Sequence, residues 1–479
     1  MQRYLSLPLQ EMTKIKKNFI LEGLEVTDTS TEGKGIARSD NMVVFIEGAV
    51  PGDCVDAMVH RKKNSYAEAR LQKLIRPSLQ RITPSCAHFG TCGGCKWQNL
   101  SYAAQLQYKE KQVLDAFARI GKLEAETTFP ILAGENEFYY RNKLEFSFSA
   151  KKWLTTEEIR SGLVPEHPDA LGFHIPGLFD KVLDIQECML QPEPSNAIRL
   201  AVREYARKQK WPFFEIRNKG GFLRTLMIRN TLSGQLMVVL SMFENREEEM
   251  RELCSYLLKQ FPQITSLQYV HNPKGNDTIH DLDLVLYHGS PFITEEMEGL
   301  KFNISAKSFY QTNPAQAYRL YKIARQLAAL KPSDVVYDLY TGTGTIANFV
   351  ARQCKKVVGI EYIEAAVKDA FENSKMNGIG NTFFVAGDMK TVFTDEFVNT
   401  HGKPNVIITD PPRAGMDPAV VQKIIDLKPE KVVYVSCNPA TQARDIALMQ
   451  PWYAIKAIHP VDMFPQTTHV ENVALLVFK

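Results

Sequence analysis

From Pro332 to the C-terminus, short β-branched runs alternate with amphipathic stretches across loops of a few residues. This pattern predicts βα units on a parallel sheet. The strands fall at Val335–Leu339, Lys356–Ile360, Thr382–Val385, Asn405–Thr409, Lys431–Val435 and Val473–Phe478. The stretch from Phe19 to Ile75 reads differently. Strand candidates Phe19–Val26, Gly35–Arg38, Met42–Ile46, Cys54–Arg61 and Ala67–Ile75 are divided by glycines and a Pro51-Gly52-Asp53 turn. Five short strands in so few residues predict a small closed barrel of the OB type. An amphipathic helix opens near Ser101, with Val113, Leu114, Phe117 and Ile120 on one face and Gly121 as its stop. Beyond it, strands such as Lys143–Phe148 and Thr225–Ile228 alternate with charged helices such as Glu244–Leu258. The expected fold is therefore multidomain. An OB-like β-barrel occupies 14–75, an α+β central region 76–300, and an α/β Rossmann-like domain 301–479.

Composition narrows the class. Hydrophobic content of 44% and charged content of 23% are those of a soluble globular protein. No apolar run approaches the roughly 18 residues of a membrane span. The basic stretch Met1 to Lys17 has no apolar h-region, so it reads as a short mobile extension, not a secretory signal. Eight unevenly spaced cysteines in 479 residues point to metal-binding or catalytic thiols in the cytoplasm, not to a disulfide framework. The net charge of +3 carries no information about nucleic acid, but its distribution does. Between Arg61 and Arg81 lie seven basic residues and one acid, Glu68, a patch suited to a phosphate backbone. Alone it reads equally well as a solvated face.

Three C-terminal strands end in residues that carry chemistry. Val335–Leu339 leads into Tyr340-Thr341-Gly342-Thr343-Gly344, Val406–Thr409 into Asp410-Pro411-Pro412-Arg413, and Lys431–Ser436 into Cys437-Asn438-Pro439. Ligands of open α/β sheets bind outside the carboxyl ends of the strands, so the three turns predict one shared cleft containing a thiol. Glycines at 342 and 344 let the backbone approach a ligand closely. Ala347 stands where a G-x-G-x-x-G fingerprint has its third glycine. Glu361, ending the next strand, can accept both ribose hydroxyls of a nucleoside. Asp388, after the strand that follows, can bind an adenine amino group. No phosphate-binding Lys or Arg directly follows the glycines. Adenosine without a pyrophosphate fits better, and S-adenosylmethionine meets that description. The bland alternative is a glycine turn that only closes a βα unit.

Cys86-x5-Cys92-x2-Cys95 has metal-ligand spacing, with Gly93-Gly94 giving the tight bend. Spacing alone leaves zinc and an iron–sulfur cluster open. It does not match the Cys-x3-Cys-x2-Cys of radical enzymes. Cys188 is a distant fourth candidate, and Cys54, Cys254 and Cys354 read as packing residues.

Four motifs in order resemble the RNA uracil-5-methyltransferases over nearly the whole chain. They are Phe309-Tyr310-Gln311-Thr312-Asn313, Asp410-Pro411-Pro412-Arg413, Ser436-Cys437-Asn438-Pro439-Ala440-Thr441 and the segment from Asp462 to Glu471. Residues 14–75 are similar to the TRAM domain of the ribosomal branch of that family. The resemblance implies a class I enzyme that uses S-adenosylmethionine to form 5-methyluridine, in 23S ribosomal RNA first. It implies Cys437 as nucleophile, Glu471 as general base and Asp410 beside the target base and cofactor. Gln311, Tyr340, Thr345, Glu361 and Asp388 fall on cofactor positions, and Phe309 falls where an aromatic stacks on an extruded base. It further implies a 4Fe–4S cluster on Cys86, Cys92, Cys95 and Cys188. Thr341 departs from the Cys of many members, at a position that is not the nucleophile's. The implied enzyme is cytoplasmic, monomeric, bound to RNA and not to a membrane.

The chemistry needs these residue types. C5 of uracil is too weak a nucleophile to take a methyl group from a sulfonium. Thiolate addition at C6 makes C5 nucleophilic, which is covalent catalysis by cysteine. The C5 proton must then leave to a base before the thiolate is expelled. Each role has a bland rival: Cys437 as an inert buried thiol, Glu471 as an ordinary surface acid. Three other readings stay open. The same chemistry can act on transfer RNA. Asp-Pro-Pro also occurs in enzymes that methylate exocyclic amines, which need no thiol. Finally, a cofactor domain can persist in a non-catalytic RNA-binding protein.

Overall fold

The computed structural model describes residues 19–479, so the basic extension and positions 14–18 of the expected barrel lie outside the described residues. The chain forms two compact units, 19–83 with 99–101, and 84–98 with 102–479.

The first unit is a closed five-stranded barrel of Phe19–Thr29, Gly35–Ser39, Met42–Glu47, Cys54–Lys62 and Tyr66–Arg76. Alternation puts Val26, Ala37, Val44, Ile46, Val55, Ala57, Val59, Ala67 and Ala69 inside. The alanines keep the interior narrow enough to fill. At Gly35 a Cβ would sit 2.8 Å from Val26 Cγ1, so the crossing tolerates no side chain. Buried Asp53 accepts the Arg81 guanidinium together with the N–H groups of Val50 and Ser78. The basic patch is less naked than its sequence suggests. Arg61 pairs with Glu68, Arg70 with Glu47 and Arg76 with Glu25, because other strands of the barrel supply the acids. Lys62 and Lys63 lie over the rings of Phe19 and Tyr66.

The second unit holds two large sheets. The central one runs in the order Val285–Gly289, Ser266–His271, Leu236–Met242, Leu223–Asn230, Lys143–Ser149, Ala170–His174, Val182–Leu183. One face, including Phe146, Leu226, Ile228, Val238 and Leu240, packs against Ile198 and Val202 of helix Ser195–Lys208 and Leu253 and Leu257 of helix Glu247–Gln260. The helix expected over Glu244–Leu258 thus starts three residues later, after Arg246.

The C-terminal sheet runs Thr382–Ala386, Lys356–Glu361, Val335–Leu339, Val406–Thr409, Lys431–Ser436, Glu471–Phe478, Tyr453–Val461, with Thr127–Thr128 on its edge. Its first five strands are parallel, and Glu471–Phe478 inserts antiparallel between Lys431–Ser436 and Tyr453–Val461. The strand order reverses between Val335–Leu339 and Val406–Thr409, the crevice where such folds bind ligands. The helix expected near Ser101 spans Tyr102–Asp115 and continues as a π-turn over Ala116–Gly121. Val113 and Phe117 are buried as expected, while Leu114 and Ile120 are exposed. The wider i→i+5 turn shifts the phase of everything past Ala116 and carries Ile120 off the buried face.

Candidate active site

Cys437 sits on the turn between strand Lys431–Ser436 and helix Pro439–Met449. Asn438 caps that helix through the Ala440 N–H, with Pro439 at the first turn. The Asn438 amide and the Thr441 hydroxyl both donate to the Arg413 carbonyl, at 3.0 and 3.2 Å. The thiol turn is therefore bolted to the Asp410–Arg413 loop. Burial, with the Glu471 and Asp410 carboxyls nearby, pushes the half-buried Cys437 thiol up to about 11. Arg413 opposes this by charge and by a hydrogen bond to the sulfur.

Glu471 opens its strand with 5% of its surface exposed. Asp410 presents part of its surface to the cleft, but the surrounding protein still strips water from its carboxyl. Desolvation raises both acids, and Asp410 raises Glu471 further. Two carboxyls, a thiol and one guanidinium thus share a poorly solvated cleft. Arg413 Nη2 also lies 3.4 Å from His469 Nε2. Burial and that cation push His469 down to about 4, so its ring is neutral. Arg413 and His469 stood in the sequence motifs without a role. Only the fold places the Arg413 guanidinium within reach of residues 437, 469 and 471.

The cofactor end lies at the neighbouring strand tips. Tyr340, Gly342 and Gly344 all have positive φ (65°, 56° and 74°), a strained turn that bares its backbone. A Cβ on Gly342 would meet nothing within 4 Å, so open space faces that backbone. Glu361 is fixed by two N–H donors, from Gly342 to one carboxylate oxygen and from Ile363 to the other, both at 3.0 Å. Its remaining lone pairs suit a ribose diol. Thr341 donates to Asp338 at 2.5 Å, which gives the departure at 341 a local function. Thr345 is buried at the start of helix Thr345–Ala351, and Asp388 is exposed and caps the four-residue helix Met389–Val392. Gln311 is held from its backbone by Asn142, and Asn313 caps helix Pro314–Ala328 while donating to the Met463 carbonyl. The donors and the open backbone fit an adenosine cofactor.

The match with known proteins follows this layout. A profile described as tRNA (Uracil-5-)-methyltransferase covers residues 222–479, and a TRAM profile covers 24–71. The chain belongs to the tRNA (uracil-5-)-methyltransferase family. It is 54% identical to a Porphyromonas gingivalis protein named an uncharacterized RNA methyltransferase, over 95% of this chain and 99% of that one. A similarly named Bacteroides thetaiotaomicron protein is 53% identical over 93% and 99%. Among solved structures, the Pyrococcus abyssi tRNA (uracil-54, C5)-methyltransferase in complex with S-adenosyl-L-homocysteine superposes with a TM-score of 0.73 and 26% identity. That alignment covers 95% of this chain and all of that one. This family member is therefore an S-adenosylmethionine-dependent RNA methyltransferase with an N-terminal TRAM barrel. Among the described residues no helix is long and apolar enough to cross a membrane.

Away from the cleft, Cys86, Cys92, Cys95 and Cys188 line one cavity of about 180 Å³ with Leu144 and Phe173. Burial raises Cys92, and pushes Cys95 to about 11 and Cys188 to about 12. The Cys86 N–H donates to Gln98 and the Cys188 N–H to Asn196, which fixes both ends of the ligand set. Among the described residues, no three His, Cys, Asp or Glu side chains close around a position for a single metal ion.

Proposed function

We propose that this enzyme methylates C5 of a specific uridine in RNA, ribosomal RNA first, through a covalent bond between Cys437 Sγ and C6. The carrying observation is the convergence of Cys437, Asp410, Glu471 and Arg413 in one poorly solvated cleft beside the crevice at the strand tips. S-adenosylmethionine, when bound, supplies the methyl group as an electrophilic sulfonium. The Cys437 thiolate adds to C6 and pushes electrons onto the ring, so C5 can take the methyl group. Glu471 removes the C5 proton. The C6–S bond then breaks, and its electron pair returns to sulfur. Arg413 favours the thiolate before attack and after release. Phe309, 71% exposed, offers a stacking face for the extruded base, an extrusion that costs a few kcal/mol. Gln311, Tyr340, Thr345, Glu361 and Asp388 hold the cofactor, and Asp410 lies between cofactor and base.

We further propose a 4Fe–4S cluster on Cys86, Cys92, Cys95 and Cys188, the four thiols that line one cavity. A cluster spreads its ligands around a volume, unlike a single ion, and favours an apolar shell such as Leu144 and Phe173 provide. We assign it a structural role.

A second reading keeps the chemistry and changes the substrate to transfer RNA. The Pyrococcus abyssi enzyme acts on tRNA and aligns with 95% of this chain, so the barrel does not by itself select ribosomal RNA. Mapping 5-methyluridine in total RNA with and without the gene separates the two. Incubation with 5-fluorouridine RNA tests the chemistry. A denaturation-resistant protein–RNA adduct is expected from the natural enzyme and none from Cys437→Ala. Normal 5-methyluridine formation by Cys437→Ala overturns the thiol mechanism.

A further inference from the structure

A polar cavity of about 290 Å³ lies on the central sheet, on the face away from its helices. That size is near the lower end of the roughly 300–1,000 Å³ of small-ligand sites. Strand register builds it. Glu145 stands opposite Met227, which stands opposite Val239, and Thr225 stands opposite Ser241. Met227 and Val239 make an apolar floor, and the polar side chains rim it. Loop residues 277–280 and 306–307 form the walls.

Two observations mark this cavity as a binding site. First, Glu145 and Lys143 both line it and attract each other by charge, with no hydrogen bond or salt bridge joining them among the described residues. Lys143 is half-buried and Glu145 keeps an exposed edge, and the partial loss of water lowers the Lys143 ammonium and raises the Glu145 carboxyl. Of the other charged groups that line it, Asp277 is engaged by Arg224 at 2.8 Å, and Lys307 stands on the wall. Second, the cavity is built into the segment that carries Phe309 and Gln311. Buried Arg229 donates to the carbonyls of Ser305 and Ser308, on either side of the wall residues Ala306 and Lys307. Asn142, next to Lys143, donates through its N–H to Thr312 and through its amide to the Gln311 carbonyl. These bonds tie the sheet that forms the floor to the segment that forms the wall and carries Phe309.

We propose that this cavity holds a nucleobase flanking the target uridine and that its lining selects guanine. A planar ring fits the floor of Met227 and Val239. The two Glu145 oxygens accept the adjacent N1–H and N2–H of guanine, and the Lys143 ammonium donates to O6. Adenine and cytosine offer the carboxylate only one amino group. Uracil offers a single N–H between two carbonyl oxygens, which the carboxylate repels. A bidentate contact of this kind discriminates between bases by about tenfold or more.

The inference rests on RNA being the substrate, and its test keeps the two claims apart. In vitro transcripts of 23S rRNA and of tRNAs are methylated, and the modified uridine is mapped. Short hairpins containing that uridine then carry inosine, which lacks the N2 amino group, at each flanking guanosine in turn. The natural enzyme is expected to show KM raised about tenfold at one flanking position, with kcat unchanged. Glu145→Gln is expected to treat guanosine and inosine there alike, and Lys143→Met to weaken both. If no transcript is methylated, the RNA reading fails and the subsite with it. If methylation proceeds but no flanking guanosine matters, or Glu145→Gln keeps the same discrimination, the subsite alone is overturned.

Discussion

Lys109 Nζ lies 2.6 Å from Asp462 Oδ1, and neither side chain has any exposed surface. Lys109 also donates to the Phe464 carbonyl, while Asp462 accepts from the Tyr102 hydroxyl. This pair ties helix Tyr102–Asp115 to the segment leading to His469 and Glu471. Removing one partner of a buried pair leaves an uncompensated charge, which costs about 3–5 kcal/mol. Lys109→Met should therefore lower the urea midpoint of the catalytic unit sharply. Lys109→Met combined with Asp462→Asn should recover much of the loss, since no charge is then left buried. Equal midpoints for the single and double variants would show that the charges do not interact.

The pH profile follows from the same cleft. In the proposed mechanism attack needs the Cys437 thiolate, and burial holds that thiol up at about 11. The base needs ionised Glu471, whose carboxyl is also raised by burial and by Asp410. Both groups act deprotonated and both are shifted upward, so kcat/KM should rise through neutral pH into the alkaline range. Arg413 lowers both groups. Arg413→Met should move the rise to higher pH and slow adduct formation at neutral pH by about tenfold or more, the equivalent of one pKa unit. Adduct rates with 5-fluorouridine RNA measured across pH would reveal an unmoved profile if the guanidinium plays no such part.

How much of this was legible in sequence depends on the scale of the signal. The runs Val335–Leu339 and Lys431–Ser436 are buried on both faces of a sheet, so their β-branched composition exposes them. The strand Tyr453–Val461 escaped because Lys456, His459 and Pro460 interrupt its pattern, and its partner across the sheet sets its register. The ion pairs of the barrel's basic patch were hidden for a related reason: the acids Glu25 and Glu47 that pair with it are distant in sequence and brought close only by the barrel. Motif residues such as Cys437 and Glu361 could be read one at a time. The central-sheet cavity could not, since it needs register, a loop and a turn together.

Trp97 and Lys96 donate their N–H groups to the Gln466 carbonyl, just after Cys95 and just before His469. Gln466 also exchanges hydrogen bonds with Gln105, and Tyr140 donates to the Pro465 carbonyl. The thiol cavity is thus fastened to the segment that leads to Glu471, the proposed base. Anaerobically purified enzyme should contain iron and inorganic sulfide, and Cys188→Ser should lose both. The same variant should show faster amide hydrogen exchange across residues 464–468, as the anchoring turn loosens. Iron loss with unchanged exchange would confine the cluster's influence to its own loop.

In the proposed mechanism Glu471 acts after the methyl group has arrived, which separates its variant from that of Cys437. With Glu471→Gln the thiolate can still add and the C5 carbon can still be methylated, because neither step needs the carboxylate. The C5 proton then has no acceptor, and the C6–S bond cannot break without it. On ordinary uridine RNA, Glu471→Gln should accumulate a covalent, methylated protein–RNA species that resists denaturation. Release of 5-methyluridine should fall by about two orders of magnitude or more, the usual contribution of general acid–base catalysis. Mass spectrometry of the trapped species should find the methyl group on the RNA fragment attached to Cys437. An unmethylated adduct, or undiminished turnover, would move the base elsewhere, with Asp410 the nearest remaining carboxylate to examine.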